Sequence, residues 1–306
     1  MEEYDVIIIG GGCAGLGAAM YSGRFGLKTL VLAEIPGGTI ILTDVVENYP
    51  GFKRLTGLEL AQKLQEHAED YPSVTIKTER VIDLKKVKKN FEVKTDENTF
   101  LGKTIIYTTG TKWKKLSVPG EDVFANKGVH YCALCDGSFY RDKIVSVVGG
   151  GDSAAKEALL LTQWASKVYL IYRGEKIHPE PVNEIRVAKN KKIEIIKQTN
   201  IVEIKGEKKV THILLDKSYN TSKELRLDAV FVEIGHTALS DLAKGIGVAV
   251  NKKGEIIIDR LAKTNIEGFY AAGDVVDTEF KQAITGVGEA VAASYSAYKY
   301  ITGDEL

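Results

Sequence analysis

Tyr4-Asp5-Val6-Ile7-Ile8-Ile9-Gly10-Gly11-Gly12-Cys13-Ala14-Gly15 is the stretch whose reading decides the fold. Its apolar run, bounded by glycines, suits a strand buried on both faces of a parallel sheet. Gly10, Gly12 and Gly15 then fit G-x-G-x-x-G, residues 14–24 carry helical spacing, and Lys28–Leu32 (KTLVL) supplies the next strand. In this βαβ context the glycines permit a tight turn and the close approach of a pyrophosphate. The charge of that pyrophosphate would meet the helix N-terminus. The acid that grips a ribose in such units would fall at Ala33; the acid here is Glu34, one residue late.

A near-twin follows at Gly149-Gly150-Gly151-Asp152-Ser153-Ala154, between a strand at 144–148 and a helix at 153–165 that leads to a strand at 167–172. Two such units form a degenerate internal repeat rather than a solenoid period. The fold class expected is α/β, with two Rossmann-like, three-layer ββα dinucleotide-binding domains, the second inserted into the first. Residues 37–51 make a glycine- and proline-punctuated loop too long for a simple connector. Leu58–Tyr71 predicts an amphipathic helix with Leu58, Ala61, Leu64, Ala68 and Tyr71 on one stripe. Short alternating runs at 74–76, 81–84, 91–93 and 100–101 predict a small antiparallel meander, and 104–109 a separate buried strand ending at Gly110. The basic, proline-terminated segment 112–119 reads as the crossing into the insert and 235–241 as the crossing back. Within the insert, a helix at about 181–189 precedes strands at 193–197, 201–204, 212–215 and 229–234. Strands at 255–258 and 269–272 and a long helix at 282–300 close the chain. The domains expected are therefore 1–113 with 241–306, and 114–240.

The 306 residues are comfortable for two cores. Lys plus Arg (41) equals Asp plus Glu (41), so no global field recruits nucleic acid or an anionic membrane. Every apolar run breaks well short of the ~20 residues a membrane helix needs. A first strand starting near Tyr4 leaves no room for a signal or transit peptide, and the setting expected is the cytoplasm. Three cysteines in a chain of this size are not a secreted disulfide framework.

Two of those cysteines stand in Val129-His130-Tyr131-Cys132-Ala133-Leu134-Cys135-Asp136-Gly137. A structural zinc site would need four ligands, and His130, Cys132 and Cys135 supply three; no metal is expected. Inert buried thiols fit poorly with such close spacing in a glycine-flanked loop. A redox disulfide fits best, because the neighbouring turns would bind its electron donors. Asp136 could relay the proton that a reduced disulfide needs, or serve as a turn residue before Gly137, or both.

GGGCAG at 10–15, VENYPG at 46–51, CALCDGSFYR at 132–141, GGGDSA at 149–154, AAGDV at 271–275 and KQAITGVGEA at 281–290 occur in an order and spacing that resemble the low-molecular-weight, flavin-dependent thioredoxin reductases. The resemblance covers the whole chain. It implies FAD in a split domain and NADPH or NADH in the inserted one, which also carries the dithiol. Carried over by position, Gly10, Gly12, Gly15, Glu34, Gly38, Asn48, Gly110, Gly273, Asp274, Lys281, Gln282 and Ala283 would serve FAD. Gly149, Gly151, Asp152, Ser153, Ala154, Arg173, Lys176 and His178 would serve the pyridine nucleotide. Cys135 would face the flavin, and Cys132 would attack the disulfide of a thioredoxin- or glutaredoxin-like protein. The inserted domain would rotate about its crossings, and the protein would be a homodimer. Four departures stand out. Cys13 replaces a proline, Thr39 a glutamine and Lys281 an arginine. The arginine clamp on a 2′-phosphate reads Tyr172-Arg173-Gly174-Glu175-Lys176-Ile177-His178, keeping one of its three arginines. Other readings are a ferredoxin-linked reductase, a small-dithiol oxidase and a flavin-bound redox sensor.

Overall fold

The computed structural model describes residues 1–43 and 45–303. Two compact units divide the chain: Met1–Lys112 with the segment from Thr237 onward, and Trp113–His236. Each is a mixed α/β unit built on a parallel sheet.

The first unit opens with β1 (Glu2–Ile9), α1 (Cys13–Arg24) and β2 (Thr29–Leu32). The alternation within β1 serves two cores. Ile7 and Ile9 enter one with Leu30, Leu32 and Ile105. Val6 and Ile8 enter the other, against Ala18 and Ala19 of α1. Such two-sided burial is why the run shows no polar face. Next come α2 (Gly57–Glu69), β3 (Val74–Lys77), β4 (Val81–Val87), β5 (Asn90–Thr95) and β6 (Thr99–Tyr107). The start of α2 is a capping box: Glu59 N donates to Thr56 Oγ1 at 3.1 Å, and Thr56 N donates to Glu59 Oε2 at 2.7 Å. Its buried face is Leu60, Ala61 and Ala68, whereas Leu58, expected inward, is half exposed.

The sheet order is β3-β2-β1-β6-β5-β4. Two features correct the expected meander. β3 does not belong to it and pairs in parallel with β2. The run at 100–101 is no separate strand, because β6 continues unbroken to Tyr107, parallel to β1 and antiparallel to β5 over its first residues. Gly102 interrupts the apolar alternation there without ending the strand. It lies against Ile7, where a Cβ would stand 2.9 Å from Ile7 Cγ1.

The chain leaves through β7 (Thr111–Trp113) into β8 (Val129–His130), α3 (Ala133–Asp136), β9 (Ile144–Val148), α4 (Asp152–Leu161), β10 (Lys167–Tyr172), α5 (Pro181–Lys189) and β11 (Ile193–Lys197). An antiparallel ribbon follows: β12 (Ile201–Gly206), β13 (Val210–Tyr219) and β14 (Ser222–Arg226). Sequence periodicity missed β14, whose Leu225 is its one apolar and one buried residue. β15 (Ala229–Val232) completes a parallel sheet of order β11-β10-β9-β15-β8.

β16 (His236–Ala238) leads back to α6 (Asp241–Gly245), β17 (Phe269–Ala271) and α7 (Ala283–Thr302). Departing and returning segments run side by side: Lys114 N donates to Gly235 O at 2.9 Å in the insert, and Leu239 N to Gly110 O at 3.0 Å in the first unit. The strand expected at 255–258 is not continuous; Ile256 alone bridges Val250 and Val276. No helix among the described residues is long and apolar enough to cross a membrane.

Candidate active site

Three groups of residues matter, and each is assembled within one unit. The first is the turn after β1. Gly10 adopts φ +114° and lies under Thr108, whose Oγ1 donates to Gly10 O at 2.9 Å. A side chain on Gly15 would run into Gly10 O, so α1 can start this close to the strand only with glycine there. Gly12 is the N-cap of α1, with no side-chain cap on the helix. The nearest atom to a Cβ on Gly12 would be Gly38 Cα at 3.8 Å. Gly38 packs against this turn, since a Cβ on it would stand 2.8 Å from Gly12 Cα, and the first N–H groups of α1 have no side-chain cap, as an anion site requires. Ala33 is buried at the end of β2, and the exposed Glu34 lies 3.7 Å from Arg80 Nε. Across the same unit, Asn48 Nδ2 donates to Gln282 Oε1 at 2.9 Å, joining the loop before α2 to the start of α7 at Ala283. Gly273 N donates to Glu289 Oε2 at 2.8 Å, which holds the Gly273-Asp274 turn on α7. Gly110 adopts φ +68°, with open space where a Cβ would project. Lys281 Nζ is taken up by protein acceptors: Asp274 O at 2.9 Å, Val276 O, and Glu255 Oε1 at 3.2 Å. Burial, and then the charge of Asp274, push the Cys13 thiol up to about 12, so it stays protonated and inert.

The second turn repeats these constraints. Gly149 sits at φ +150°, where a side chain would strike Glu233 O. Gly151 caps α4 without a side-chain bond and has open space around it. Ala154 is buried and Ser153 exposed in the first turn of the helix. Asp152 is committed to the protein: Oδ1 accepts from Glu180 N at 2.9 Å and Asn183 Nδ2 at 2.8 Å, while Lys156 Nζ lies 2.8 Å from Oδ2. Beside the turn, the Tyr172 ring fills the space next to Gly150 and Gly174. His178 N donates to Gly150 O at 2.7 Å, which folds segment 173–178 back over the turn. Arg173 is exposed, and Lys176 Nζ pairs with Glu184 Oε1 at 3.0 Å.

The third group is the dithiol. Cys132 and Cys135 form a disulfide with Cα atoms 5.4 Å apart. Cys132 is the N-cap of α3, and its Sγ accepts from Cys135 N at 3.1 Å. Cys132 is buried and Cys135 exposed, so the sulfur expected to attack a partner is the less accessible one in this arrangement. Asp136 Oδ2 approaches His130 Nδ1 to 2.9 Å, close enough for an electrostatic contact but misaligned for a hydrogen bond. His130 Nε2 meets Tyr140 Oη at 2.7 Å, and its ring stacks on Phe231. Burial lowers the His130 pKa against the opposing pull of Asp136, which favours the neutral ring.

Sequence reading missed two carboxyls here. Glu157 of α4 accepts the N–H of Ala133, the residue after Cys132. Burial pushes Glu157 up to about 7, and Glu233, at the end of β15, up to about 8. Their signal was an acid inside an otherwise buried apolar stripe: Glu157 among Ala154, Ala155, Ala158 and Leu161, and Glu233 directly after Ala-Val-Phe-Val. Among the described residues no group of three His, Cys, Asp or Glu side chains is placed to hold a metal.

Two uncapped glycine turns and one disulfide define a nucleotide-linked redox protein. The chain belongs to the pyridine nucleotide-disulphide oxidoreductase family, whose model matches residues 4–290. It is 38% identical to the thioredoxin reductase of Bacillus subtilis, over 97% of this chain and 95% of that one. Among solved structures it resembles Lactococcus lactis thioredoxin reductase (FR conformation), at TM-score 0.94 and 36% identity, covering 98% of this chain and 100% of that one. It also resembles T. acidophilum thioredoxin reductase, at TM-score 0.92 and 33% identity, covering 98% and 99%.

Proposed function

We propose that this protein is a flavoprotein disulfide reductase that passes electrons from reduced pyridine nucleotide to the Cys132–Cys135 disulfide and on to thioredoxin or a similar small dithiol protein. The observation that carries the reading is the disulfide itself, held within a unit that also has an uncapped dinucleotide-type turn. Gly10, Gly12 and Gly15 would take the FAD pyrophosphate, with Gly38 lying against Gly12 beside it and Gly110 leaving open space. Asn48, Gln282, Ala283 and Asp274 would contact the rest of FAD. Lys281 would act indirectly, by holding the carbonyls of Asp274 and Val276. When bound, FAD supplies the conversion of a two-electron hydride donor into a reductant for the disulfide. Gly149, Gly151, Ser153 and Ala154 would bind the nucleotide, with Asp152 bracing the segment after it.

The protein's own chemistry lies at the thiols. The Cys135 N–H favours a thiolate on Cys132, which suits Cys132 to attack the partner disulfide and Cys135 to resolve the mixed disulfide. Asp136, backed by the neutral His130–Tyr140 pair, would hold the proton exchanged there. A homodimer in a reducing cytoplasm is the setting the family resemblance supports. The test is anaerobic titration of the FAD-loaded protein with NADPH, NADH and reduced ferredoxin, followed by thioredoxin turnover. The expected result is flavin bleaching by nucleotide and catalytic thioredoxin reduction. Bleaching by ferredoxin alone would move the donor, and thioredoxin reduction no faster than by small thiols would leave a redox sensor.

A further inference from the structure

We propose that Glu157 and Glu233 form a two-carboxyl proton store behind the dithiol, with Glu157 as the member that responds to the redox state of Cys132 and Cys135. The inference rests on the disulfide-reductase reading and deepens it. Glu157 reaches from α4 to the Ala133 N–H, inside the four-residue segment that the disulfide closes. Any rearrangement of that segment on reduction therefore acts on this carboxyl directly. Glu233 follows β15, and its backbone oxygen packs on Gly149 at the start of the nucleotide turn. Glu233 is 8% exposed, and no donor reaches its carboxyl among the described residues. An isolated buried carboxyl keeps its proton, because ionisation there forfeits hydration. The Ala133 N–H favours ionised Glu157, and that charge further opposes ionisation of Glu233. Glu157 therefore releases its proton first, and the two share a titration near neutrality.

The neighbours leave this coupling intact. From α3, Asp136 faces Glu157 and opposes its ionisation. His130 and Tyr140 are engaged with Asp136 and each other. β9 carries no ionisable side chain. Around α4, Lys156 pairs with Asp152, Lys167 of β10 with Glu194, and Glu184 of α5 with Lys176. Tyr169 stands under Lys167, Tyr172 packs on Gly150, and Arg186 donates to Asn183. Among the described residues, no cation is paired with Glu157 or Glu233.

Reduction breaks the S–S bond and places one electron on each sulfur, and a second proton is needed when the Cys132 thiolate becomes a neutral thiol. A hydride equivalent brings two electrons and one proton; the second proton must come from protein or solvent. The carboxyl pair holds that proton behind the dithiol segment, alongside the half-buried Asp136. Glu157 is a positioning residue in this scheme, since it touches the Ala133 amide rather than a sulfur.

The test reads the thiols without nucleotide or thioredoxin. FAD-loaded protein is reduced with dithiothreitol, desalted anaerobically and alkylated with iodoacetamide across the pH range, with the site of labelling identified by mass spectrometry. In the wild type, the rise of rate with pH should show a shallow inflection near neutrality, where ionising Glu157 opposes thiolate formation. In Glu157→Gln that inflection should vanish and labelling above it should rise on the order of tenfold, as for a thiol pKa lowered by about one unit. Superimposable profiles would overturn the proposal. Infrared difference titration provides the second measurement, and Glu233→Gln should remove one of two buried carboxyl steps and leave the other. A single step unaffected by Glu233→Gln would also overturn it, and this arm stands even if Glu157→Gln does not fold. Failure of either arm leaves nucleotide-driven flavin reduction to be judged separately.

Discussion

Cys132 and Cys135 carry the same group in different surroundings, and their variants should differ accordingly. Cys132 is buried and takes an N–H from Cys135, whereas Cys135 is exposed. In the FAD-loaded protein, Cys132→Ser should leave a Cys135 thiolate and a long-wavelength charge-transfer absorbance. Cys135→Ser should lack that band, and both should lose disulfide reductase turnover. Substantial thioredoxin turnover by Cys132→Ser would reverse the assignment of the attacking thiol. Cys13 belongs at this scale too. Its thiol is held protonated by burial, so Cys13→Ala should retain activity, and loss of turnover with FAD still bound would make it a third redox centre.

The elements succeed where their ends are chemically marked. The Thr56–Glu59 capping box starts α2, and Thr56→Ala should cost about 1 kcal/mol in denaturant unfolding. Gly149→Val is a stronger test of a turn. A side chain there meets the Glu233 carbonyl from a left-handed backbone, so the variant should lose nucleotide-driven flavin reduction. If dithiothreitol still reduces its disulfide, the fault lies in the turn and not in the dithiol. The mistaken meander belongs to this scale as well. A short apolar run declares that a strand exists but not which neighbour it joins, and β3 pairs in parallel with β2 rather than with β4.

At the scale of the whole molecule, two properties sum over many groups. The first is nucleotide choice. Each charge-assisted hydrogen bond to a 2′-phosphate contributes roughly 1.5–3 kcal/mol. Gly174 and His178 in place of two arginines therefore remove about 3–6 kcal/mol, a factor of ~100 or more in preference for NADPH. Lys176 offers partial compensation only by leaving Glu184, and Tyr172 provides no carboxylate for an NADH ribose. Both nucleotides should serve, with a modest NADPH preference. kcat/KM for each decides it, and a preference above ~100-fold would show that Arg173 and Lys176 suffice. The second property is stability against pH. Glu157 and Glu233 have folded pKa values raised from 4.5 to about 7 and about 8. Their contribution is full below the unfolded value and is lost as pH rises through the folded ones. Stability to denaturant should therefore fall as pH rises from about 4.5 to about 8, and Glu233→Gln should flatten that slope.

Both glycine turns, the C-x-x-C and most strands were legible in the chain because each depends on near neighbours. A turn residue, a cap or a run of buried side chains acts within a few positions of itself. Thus Gly10 to Gly15 and Gly149 to Ala154 declared two nucleotide-type units, and Cys132 with Cys135 declared a dithiol between them. Tertiary structure decided what those signals touch. It placed Glu157 on Ala133, 24 residues away, and stacked His130 on Phe231. It also spent Lys281 and Asp152 on protein partners. No periodicity announces such contacts, since they arise only when a helix and a loop distant in sequence are packed against one sheet. Burial acts at the same level, raising the carboxyls of Glu157 and Glu233 above the usual carboxylate range.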